Sequence, residues 1–404
     1  MHTSSSASAA RAKHMRELAM FFLRLGVTAF GGAAAHVAVM EDELVRRRRW
    51  LSREQFLDLL GASNLIPGPS SSELAIHIGY MRAGWPGLLV AGICFILPAA
   101  LMVCGLAWAY VRFGNLAATS ALLYGIKPLV IAVILQALWG LGKTAVKTPV
   151  LAGIGLASIA ALILFGLHPL LLLLIAGTIA AALSEITGRQ GRTQAASVTS
   201  LLLPPKASPM VASFATAGAA AVVAPFTLGS LFLVFLKVGA VVFGSGYVLL
   251  AFLRNDFVVH RGWLTDTQLT DAVAVGQITP GPVFTTATFI GYVLGGLRGA
   301  IAATIGIFLP AFLLVAASGP LVPRIRKSRI ASAFLDGVNV ASLALMTVVT
   351  WQLGRASLVD VETATLAAAS LIVLLRFRVN SLWLVLGGAV IGLFTHEVHL
   401  HLVR

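Results

Sequence analysis

The stretch NLIPGPSSSELAIHIGY (64–80) recurs later in the chain as QITPGPVFTTATFIGY (277–292). Both copies place an amide side chain three residues before a Pro-Gly-Pro triplet and hydroxyl side chains after it. Other positions of the two copies are separated by the same number of residues as the triplets, and this separation becomes one residue shorter after the triplets. These include Gly26 with Gly239, Phe30-Gly31 with Phe243-Gly244, Trp50 with Trp263, Gln55 with Gln268 and Asp58 with Asp271. Two copies that each contain a helix-breaking site are typical of transporters with broken helices.

The composition indicates an all-α polytopic membrane protein. The 404 residues are 58% hydrophobic and 11% charged, with a mean hydropathy of +0.93. A water-soluble domain could not cover so much apolar side chain. The net charge of +14 does not indicate nucleic-acid binding, because the basic residues lie in short loops between apolar segments, as in cytoplasmic loops. We therefore expect a multi-pass protein of the inner (plasma) membrane.

Glycine, proline and charge divide the chain into two homologous repeats. We assign 1–16 to a cytoplasmic tail, 17–186 to the first repeat and 230–404 to the second. Residues 187–229 are assigned to a linker with a candidate connecting helix at 211–229. Broken or re-entrant helices are expected at Gly31-Gly32 and at both Pro-Gly-Pro triplets. Spans are expected at about 86–111, 116–139, 149–166, 168–186, 297–319, 330–353, 361–377 and 380–395.

The distribution of basic residues favours inverted repeats with a cytoplasmic N-terminus. Suppose that each repeat opens with two membrane-dipping hairpins and that 211–229 crosses once. Then 20 of the 29 Lys and Arg residues fall on the cytoplasmic side, six fall outside, and Arg24, Lys127 and Lys237 lie within the membrane. If 17–40 were one full span, the basic N-terminus would face the wrong side. Inverted repeats are the usual basis of alternating access.

The Pro-Gly-Pro triplets are candidate anion-binding elements. Proline disfavours a helical conformation in the residue before it, whereas the second proline suits the first position of a new helix. A half-helix that begins near Ser70 or Val283 would direct free N–H groups and a positive dipole end into the protein. The candidate binding residues here are Asn64, Pro67, Gly68, Pro69, Ser70, Ser71, Gln277, Pro280, Gly281, Pro282, Thr285 and Thr286. The alternative is a pair of kinks that serve only helix packing.

Three cations at membrane depth are further candidates for anion binding. Arg24 aligns with Lys237, and Lys127 aligns with Asn339. An unpaired cation at the bilayer centre costs at least about 2.5–3.5 kcal/mol, so its presence needs a reason. Binding a multivalent anion is one such reason. Snorkelling to the interface is the alternative, especially for Arg24.

Titratable side chains are concentrated in the first repeat. His36 follows the glycine break, and Glu73 and His77 share a face of the half-helix after the first triplet. This asymmetry indicates a proton- or charge-coupling role. Asp58 and Asp271 are matched between the repeats, and for them capping or pairing with a basic residue is the alternative.

Other features do not point to an enzyme, a metal site or a cofactor. Cys94 and Cys104 are ten residues apart in one apolar segment and do not share a helix face, which argues against a disulfide. The histidines of His396-Glu397-Val398-His399 have the wrong spacing for a zinc protease, and the chain has no Walker motif for ATP.

These residues resemble the chromate ion transporter family in its long, two-domain form. The stretches that carry the resemblance are FGGAAAH (30–36), RRRRWLSREQFLDLLGASNLIPGP (46–69), ELAIHIGY (73–80), FILPA (95–99), FLKVGAVVFGSGYVLLAFL (235–253), GWLTDTQL (262–269), VGQITPGPVFTTATFIGY (275–292) and GIFLPAF (306–312). The resemblance covers about 17–390. Ala33 departs from it, because proline often follows the paired glycines in this family.

The resemblance implies export of chromate from the cytoplasm and chromate resistance, with sulfate as the natural competitor. The residues independently predict a membrane-embedded oxyanion site near mid-membrane. Two alternatives remain open at this point: a transporter of sulfate or another oxyanion, in either direction, and a membrane enzyme that reduces chromate at Cys94 and Cys104. Two repeats in one chain can form a complete pathway, and a homodimer is equally compatible with the sequence.

Overall fold

The computed structural model describes residues 2–114, 117–193, 226–243, 248–318, 328–377 and 381–402. Within these ranges the protein is helical and has no β-strand. The helices of the first part are α1 (His2–Thr28), α2 (Gly32–Met40), α3 (Arg53–Ser63), α4 (Ser70–Phe113), α5 (Ala117–Ala145), α6 (Pro149–Phe165) and α7 (Pro169–Thr193). Those of the second part are α8 (Leu228–Val241), α9 (Leu249–Leu253), α10 (Asp266–Ile278), α11 (Thr286–Ser318), α12 (Arg329–Ser357), α13 (Val361–Phe377) and α14 (Ser381–Leu402).

Five of these helical segments are long and apolar enough to cross a membrane, which makes the chain an integral membrane protein. They are Ser70–Phe113, Ala121–Ala145, Pro169–Ile186, Val283–Ser318 and Ile330–Ser357. Shorter apolar helices accompany them, so the expectation of an all-α polytopic membrane protein is confirmed. Helix α1 begins at His2 and so includes most of the segment assigned to the tail. Most of the linker and of the candidate helix at 211–229 lies outside the described residues.

Helix boundaries in the two parts correspond at the positions that the sequence aligns. Helices α5, α6 and α7 begin at residues aligned with the first residues of α12, α13 and α14. Two π-helical segments, Glu41–Arg47 and Arg254–His260, also occupy aligned positions. The N-termini of α3 and α10 share a capping box, in which Ser52 pairs with Gln55 and Thr265 pairs with Gln268. The same local signals therefore build equivalent elements twice.

Helix α1 ends before a turn made by two glycines. Gly31 has φ 105° and Gly32 has φ 72°, a left-handed conformation that glycine adopts at low cost. Helix α2 begins at Gly32, with Ala33 inside its first turn. The break predicted at Gly31-Gly32 is therefore present without a proline at position 33. Its counterpart in the second repeat, Gly244, lies outside the described residues.

Each Pro-Gly-Pro triplet leads into a helix that folds back on itself. Helix α4 is interrupted at Ala83-Gly84, where Gly84 has φ 63°, and α11 is interrupted at Gly295-Gly296. A Cβ on Gly79 would collide with the Gly87 carbonyl, a contact that a continuous helix would not allow. Gly291 and Gly299 approach in the same way in α11. The short half-helix expected after the first triplet thus packs as one arm of a tight helical hairpin.

The two repeats interlock around their helix breaks. Gly68 donates its backbone N–H to the carbonyl of Val242 (2.7 Å), and Gly281 donates to the carbonyl of Ala29 (3.0 Å). The two bonds are equivalent, because Ala29 is aligned with Val242 just as Gly68 is aligned with Gly281. Helix α5 packs on α13 and α14, whereas its counterpart α12 packs on α6 and α7. Each repeat therefore completes the other.

Helices α5 and α12 run antiparallel to each other. Lys147, just beyond the end of α5, contacts Asp336 near the start of α12. A Cβ on Gly142 would lie 3.7 Å from the side chain of Leu343. Further along, the site of a Cβ on Gly354 is 3.9 Å from Ile131. Residues nearer the start of α5 therefore contact residues nearer the end of α12.

Candidate functional site: a polar cavity at the helix breaks

A cavity of about 1060 Å³ lies between the helix breaks of the first repeat and the pair α5 and α12. Its lining follows α5 from Val133 in mid-helix to the end of the helix, roughly 20 Å at the rise of an α-helix. The polar and glycine lining residues include Gly31, Gly32, Asn64, Ser70, Gln136, Thr144, Asn339 and Ser342. The cavity therefore connects one end of the helix bundle with the middle of its spanning segments.

The charged residues of the lining lie at the outer end of the cavity. They are Lys143, Lys147 and Asp336. The Lys147 ammonium is 2.7 Å from the Asp336 carboxylate, so this pair is neutral. Lys143 is exposed, and its ammonium lies 4.8 Å from the centre of the Trp139 ring. The lining thus carries one uncompensated positive charge, which favours the entry of anions.

Two helix N-termini face the inner part of the cavity. Helix α2 begins there with Gly31, Gly32 and Ala33, and Gly31 provides no side-chain cap. Helix α4 begins there with Ser70, after Pro69 in an extended conformation. Free N–H groups and positive dipole ends of helices favour anionic ligands. Asn64 adds an amide beside them. The structure thus brings the predicted glycine break, Asn64 and Ser70 together.

The titratable residues of the first repeat lie beside the same triplet. His36 is buried, with its Nδ1 3.3 Å from the hydroxyl of Ser71 and its Nε2 3.1 Å from the carbonyl oxygen of Ala29. Glu73 is also buried, and its carboxyl group packs against Gly68. In the described part of the chain neither Glu73 oxygen has a hydrogen-bond partner, nor does Nε2 of His77.

The second Pro-Gly-Pro triplet is closed to the cavity. Pro280, Gly281 and Pro282 are buried. The hydroxyl of Thr285 donates to the carbonyl of Pro282 (2.8 Å), and that of Thr286 donates to the carbonyl of Val283 (2.8 Å). These threonine donors are thus occupied within their own turn. Gln277 is also buried and does not line the cavity.

Lys127 lies away from the cavity and forms an ion pair. Its ammonium is 2.9 Å from the carboxylate of Asp271, which also accepts a hydrogen bond from the hydroxyl of Tyr110 (2.9 Å). The side chain of Lys127 is 17% exposed and that of Asp271 is 3% exposed. Asp271 thus has the basic partner that the sequence offered as an alternative to coupling. Asp58, its counterpart, is exposed.

The other two candidate cations differ from each other. Lys237 is 2.6 Å from the carboxylate of Asp256, which also contacts Arg261 at 3.2 Å. Arg24, its counterpart, is exposed and forms no ion pair within the described residues, as snorkelling predicts. Neither residue lines the cavity.

Several lining residues were not predicted as site residues. Asn339 was recognised only as the counterpart of Lys127, and Gln136 and Ser342 stand alone in apolar segments. An isolated amide or hydroxyl inside a predicted span was the signal that could have identified them. In the described part of the chain, no group of three His, Cys, Asp or Glu residues could hold a metal ion.

Comparison with known proteins identifies the family of this chain. The family model for the chromate transporter matches residues 16–181 and 229–393. The chain belongs to the chromate transporter family. The chromate transport protein of Cupriavidus metallidurans is 35% identical over 391 residues, which are 96% of this chain and 94% of that protein.

Two further relatives of the chromate transporter family cover most of the chain. The probable chromate transport protein of Synechococcus elongatus is 34% identical over 359 residues, 89% of each chain. The chromate transport protein of Pseudomonas aeruginosa is 33% identical over 351 residues, 85% of this chain and 82% of the relative. These relatives are named as transport proteins. No solved structure matches the chain.

Proposed function

We propose that this member of the family is a secondary active transporter that exports chromate from the cytoplasm and so confers chromate resistance. The observation that carries the proposal is the cavity of about 1060 Å³ that leads from Lys143 to the helix breaks at Gly31-Gly32 and Ser70. Chromate is a tetrahedral dianion, and the cavity offers it amides, a hydroxyl, helix N-termini and a positive entrance. The names of the relatives and the family support chromate as the substrate.

The oxyanion binds, in this proposal, at the inner end of the cavity near mid-membrane. Asn64 and Ser70 donate hydrogen bonds, and the N-termini of α2 and α4 supply backbone N–H groups. The cavity opens toward the cytoplasm in this proposal, because Lys143 and Lys147 lie at its entrance and basic residues are enriched in cytoplasmic loops of membrane proteins. The N-terminus is cytoplasmic and the membrane is the plasma (inner) membrane.

Transport proceeds by alternating access between inverted repeats. The antiparallel contact between α5 and α12, which are equivalent helices, supports the inversion, because a repeat related by an axis along the membrane normal would leave them parallel. The reciprocal hydrogen bonds of Gly68 and Gly281 lie where the two repeats meet. In the opposite state, the elements around the second triplet would line a cavity as those around the first triplet do here.

Coupling to protons is assigned to the first repeat. Glu73 is buried beside Gly68 without a hydrogen-bond partner in the described structure, so its proton can exchange without breaking another interaction. His36 contacts Ser71, and His77 lies about one turn beyond Glu73 in the same helix. A charged carboxylate in this place would repel a dianion, and protonation of Glu73 therefore favours loading. Glu73→Gln is expected to retain exchange of chromate while losing its dependence on a pH gradient.

Sulfate or another oxyanion is the alternative substrate, and import is the alternative direction. The same donors would bind sulfate, because it is also a tetrahedral dianion. Cells that express the chain should therefore be assayed for chromate and sulfate accumulation in parallel. Exclusion of chromate with sulfate as a weaker competitor supports the proposal, whereas sulfate accumulation without chromate exclusion identifies an importer.

A chromate reductase is the alternative from another class. Cys94 and Cys104 are free thiols on α4, about 15 Å apart along the helix at 1.5 Å per residue. This separation does not suit a paired thiol site. Resistance that persists in Cys94→Ser/Cys104→Ser excludes the enzyme. Loss of resistance with unchanged chromate efflux would favour it.

The test of the proposed function is chromate accumulation in cells that express the chain at equal membrane abundance. Wild type is compared with Asn64→Ala and with Gly105→Ala, a control at a position where an added Cβ meets open space. Wild type and the control should lower cellular Cr(VI), and Asn64→Ala should not. In everted vesicles, uptake that ignores both ATP and the membrane gradients would disprove secondary active transport. The assay is compatible with a monomer or a homodimer.

A further inference from the structure

The ion pair between Lys127 and Asp271 joins the two repeats at a position that is equivalent to part of the cavity. Lys127 belongs to α5 of the first repeat, and Asp271 belongs to α10 of the second. The counterpart of Lys127 is Asn339, which lines the cavity. The same position therefore faces an open cavity in one repeat and a closed ion pair in the other.

The ion pair of Lys127 and Asp271 is enclosed by buried residues. On α5 the residues next to Lys127 are buried, among them Ile126 and Leu129. Tyr110 from α4 donates its hydroxyl to Asp271 and its ring packs against Phe289 of α11 at 5.1 Å between centroids. The pair thus connects α4, α5 and α10, three helices that come from both repeats.

We propose that the ion pair of Lys127 and Asp271 is a charge lock, which keeps closed the half of the pathway on the side of the membrane opposite the cavity. When that half opens, the transported dianion replaces Asp271 as the counter-ion of Lys127. The inference rests on the proposed alternating access between inverted repeats. In the opposite state Lys127 would line a cavity, as Asn339 does in this state. Separation of the pair without an anion would leave the charges of Lys127 and Asp271 uncompensated at membrane depth, so the empty protein stays locked. A bound dianion supplies the missing charge and permits opening.

The lock explains why the two repeats differ at this position. A lysine in both repeats would place a charge on each half-pathway, whereas here the cytoplasmic half carries the neutral amide of Asn339. The half of the pathway that contains Asn339 admits the oxyanion. The half that contains Lys127 opens only when the oxyanion is bound. After release of the oxyanion, the pair of Lys127 and Asp271 re-forms and resets the transporter.

Accessibility of a cysteine on the closed half tests the lock without transport. Val283 is the counterpart of the cavity-lining residue Ser70, so Val283→Cys is introduced into a Cys94→Ser/Cys104→Ser chain. Intact cells are labelled with a membrane-impermeant maleimide in the absence of substrate. We expect slow labelling with the native pair and, with Asp271→Asn, an increase of roughly tenfold, as expected when a closed state loses a buried interaction. Equal labelling of both would overturn the lock.

Two further variants separate the lock from loss of folding. Asp256→Asn removes the charge of another buried carboxylate, which pairs with Lys237 and Arg261, and should leave the labelling unchanged. An increase with Asp256→Asn as large as with Asp271→Asn would show that any buried-charge change opens the protein, which overturns the specific role of Lys127. If Asp271→Asn does not reach the membrane, Tyr110→Phe replaces it. That variant removes one hydrogen bond to Asp271 and should increase labelling by a smaller factor; no increase would contradict the lock.

A charge swap tests the role of Lys127 toward the anion. Lys127→Asp/Asp271→Lys keeps an ion pair but places a carboxylate where the dianion would bind. The swapped chain should remain as protected from labelling as the native pair and should lose chromate export. Native export by the swapped chain would overturn the second part of the inference. If wild type itself does not export chromate, the proposed function fails, while the labelling result still decides whether the pair is a lock.

Discussion

Gly68 donates its backbone N–H to the carbonyl of Val242, so the first Pro-Gly-Pro triplet is tied to the helix break of the other repeat. The bond is 2.7 Å long, and Gly281 forms its counterpart with Ala29. Because each triplet depends on the opposite repeat, neither repeat can rearrange at its break without a change in the other. In the proposed alternating-access mechanism, these two hydrogen bonds would link the movements of the two repeats.

We expect Gly68→Ala to destabilise the protein and abolish chromate exclusion. Gly68 has φ 141°, a conformation that costs other residues about 1–3 kcal/mol, and a Cβ there would collide with the carboxyl group of Glu73. Gly281→Ala should behave alike, since its φ is 89° and its Cβ would lie 2.6 Å from that of Ala99. Thermal unfolding of the detergent-purified protein measures the effect.

The control for these glycine variants is Gly105→Ala, in the same helix as the first hairpin but facing open space. It should match wild type in both unfolding temperature and chromate exclusion. If Gly68→Ala also matched wild type, the tight contact between the triplet and Glu73 would have no role.

The sequence predicted those parts of the fold that depend on local signals. The glycine turn at Gly31-Gly32 and the spans after each triplet follow from backbone preferences and apolar length, and the structure has them. The sequence predicted a break between the half-helix after the first triplet and the span from about 86, but not the close packing of the two arms, because Gly79 and Gly87 meet only in three dimensions. A pattern read along the chain identifies a break but not the direction in which the chain leaves it.

The candidate site was only partly predictable for the same reason. Asn64 and Ser70 flank the first triplet, and both line the cavity; their role in binding an anion stays a prediction. The equivalent argument for Thr285 did not anticipate that its hydroxyl bonds to its own turn. Lys127 was predicted to meet an anion, and the anion it meets in this structure is Asp271, in the other repeat. Long-range charge pairing leaves no local signature.

The two triplets should therefore differ in their response to loss of a hydroxyl or amide. Ser70→Ala and Asn64→Ala are expected to raise the KM for chromate by about 10- to 100-fold, because a hydrogen bond to a charged ligand contributes roughly 1.5–3 kcal/mol. Thr285→Val should change the KM little and should lower the unfolding temperature instead, since its hydroxyl stabilises the turn at Pro282. Initial rates of chromate uptake into everted vesicles measure the KM. Equal KM effects from both triplets would contradict an asymmetric site.

Charge at the entrance should affect the rate of loading rather than stability. Lys143→Gln removes the uncompensated charge of the lining, so chromate uptake into everted vesicles should slow at low ionic strength and approach wild type near 1 M salt, where the Debye length is about 3 Å. Asp336→Asn should have the opposite effect, because it releases Lys147 from its 2.7 Å ion pair. Both partners of that pair are partly exposed, so its loss should cost less than about 1 kcal/mol of stability. A salt-independent defect in Lys143→Gln would argue for a structural role.

Acid should weaken the contact between α5 and α13 through Asp360, which precedes α13 outside the spanning segments. A hydrogen bond from the Thr363 backbone and one from the hydroxyl of Tyr124 (2.6 Å) lower the pKa of the Asp360 carboxyl below its ordinary value. A lowered pKa in the folded state means that the stabilisation is complete above the ordinary pKa and is lost as the pH falls through the folded value. Asp360→Ala should therefore unfold at a lower temperature than wild type at pH 7, and the difference between the two should narrow as the pH falls below the ordinary pKa of an aspartate. Asp360→Asn keeps a capping oxygen and should lie between them at pH 7. A difference between wild type and Asp360→Ala that is the same at pH 7 and at pH 3 would show that the carboxylate charge contributes nothing at this helix start.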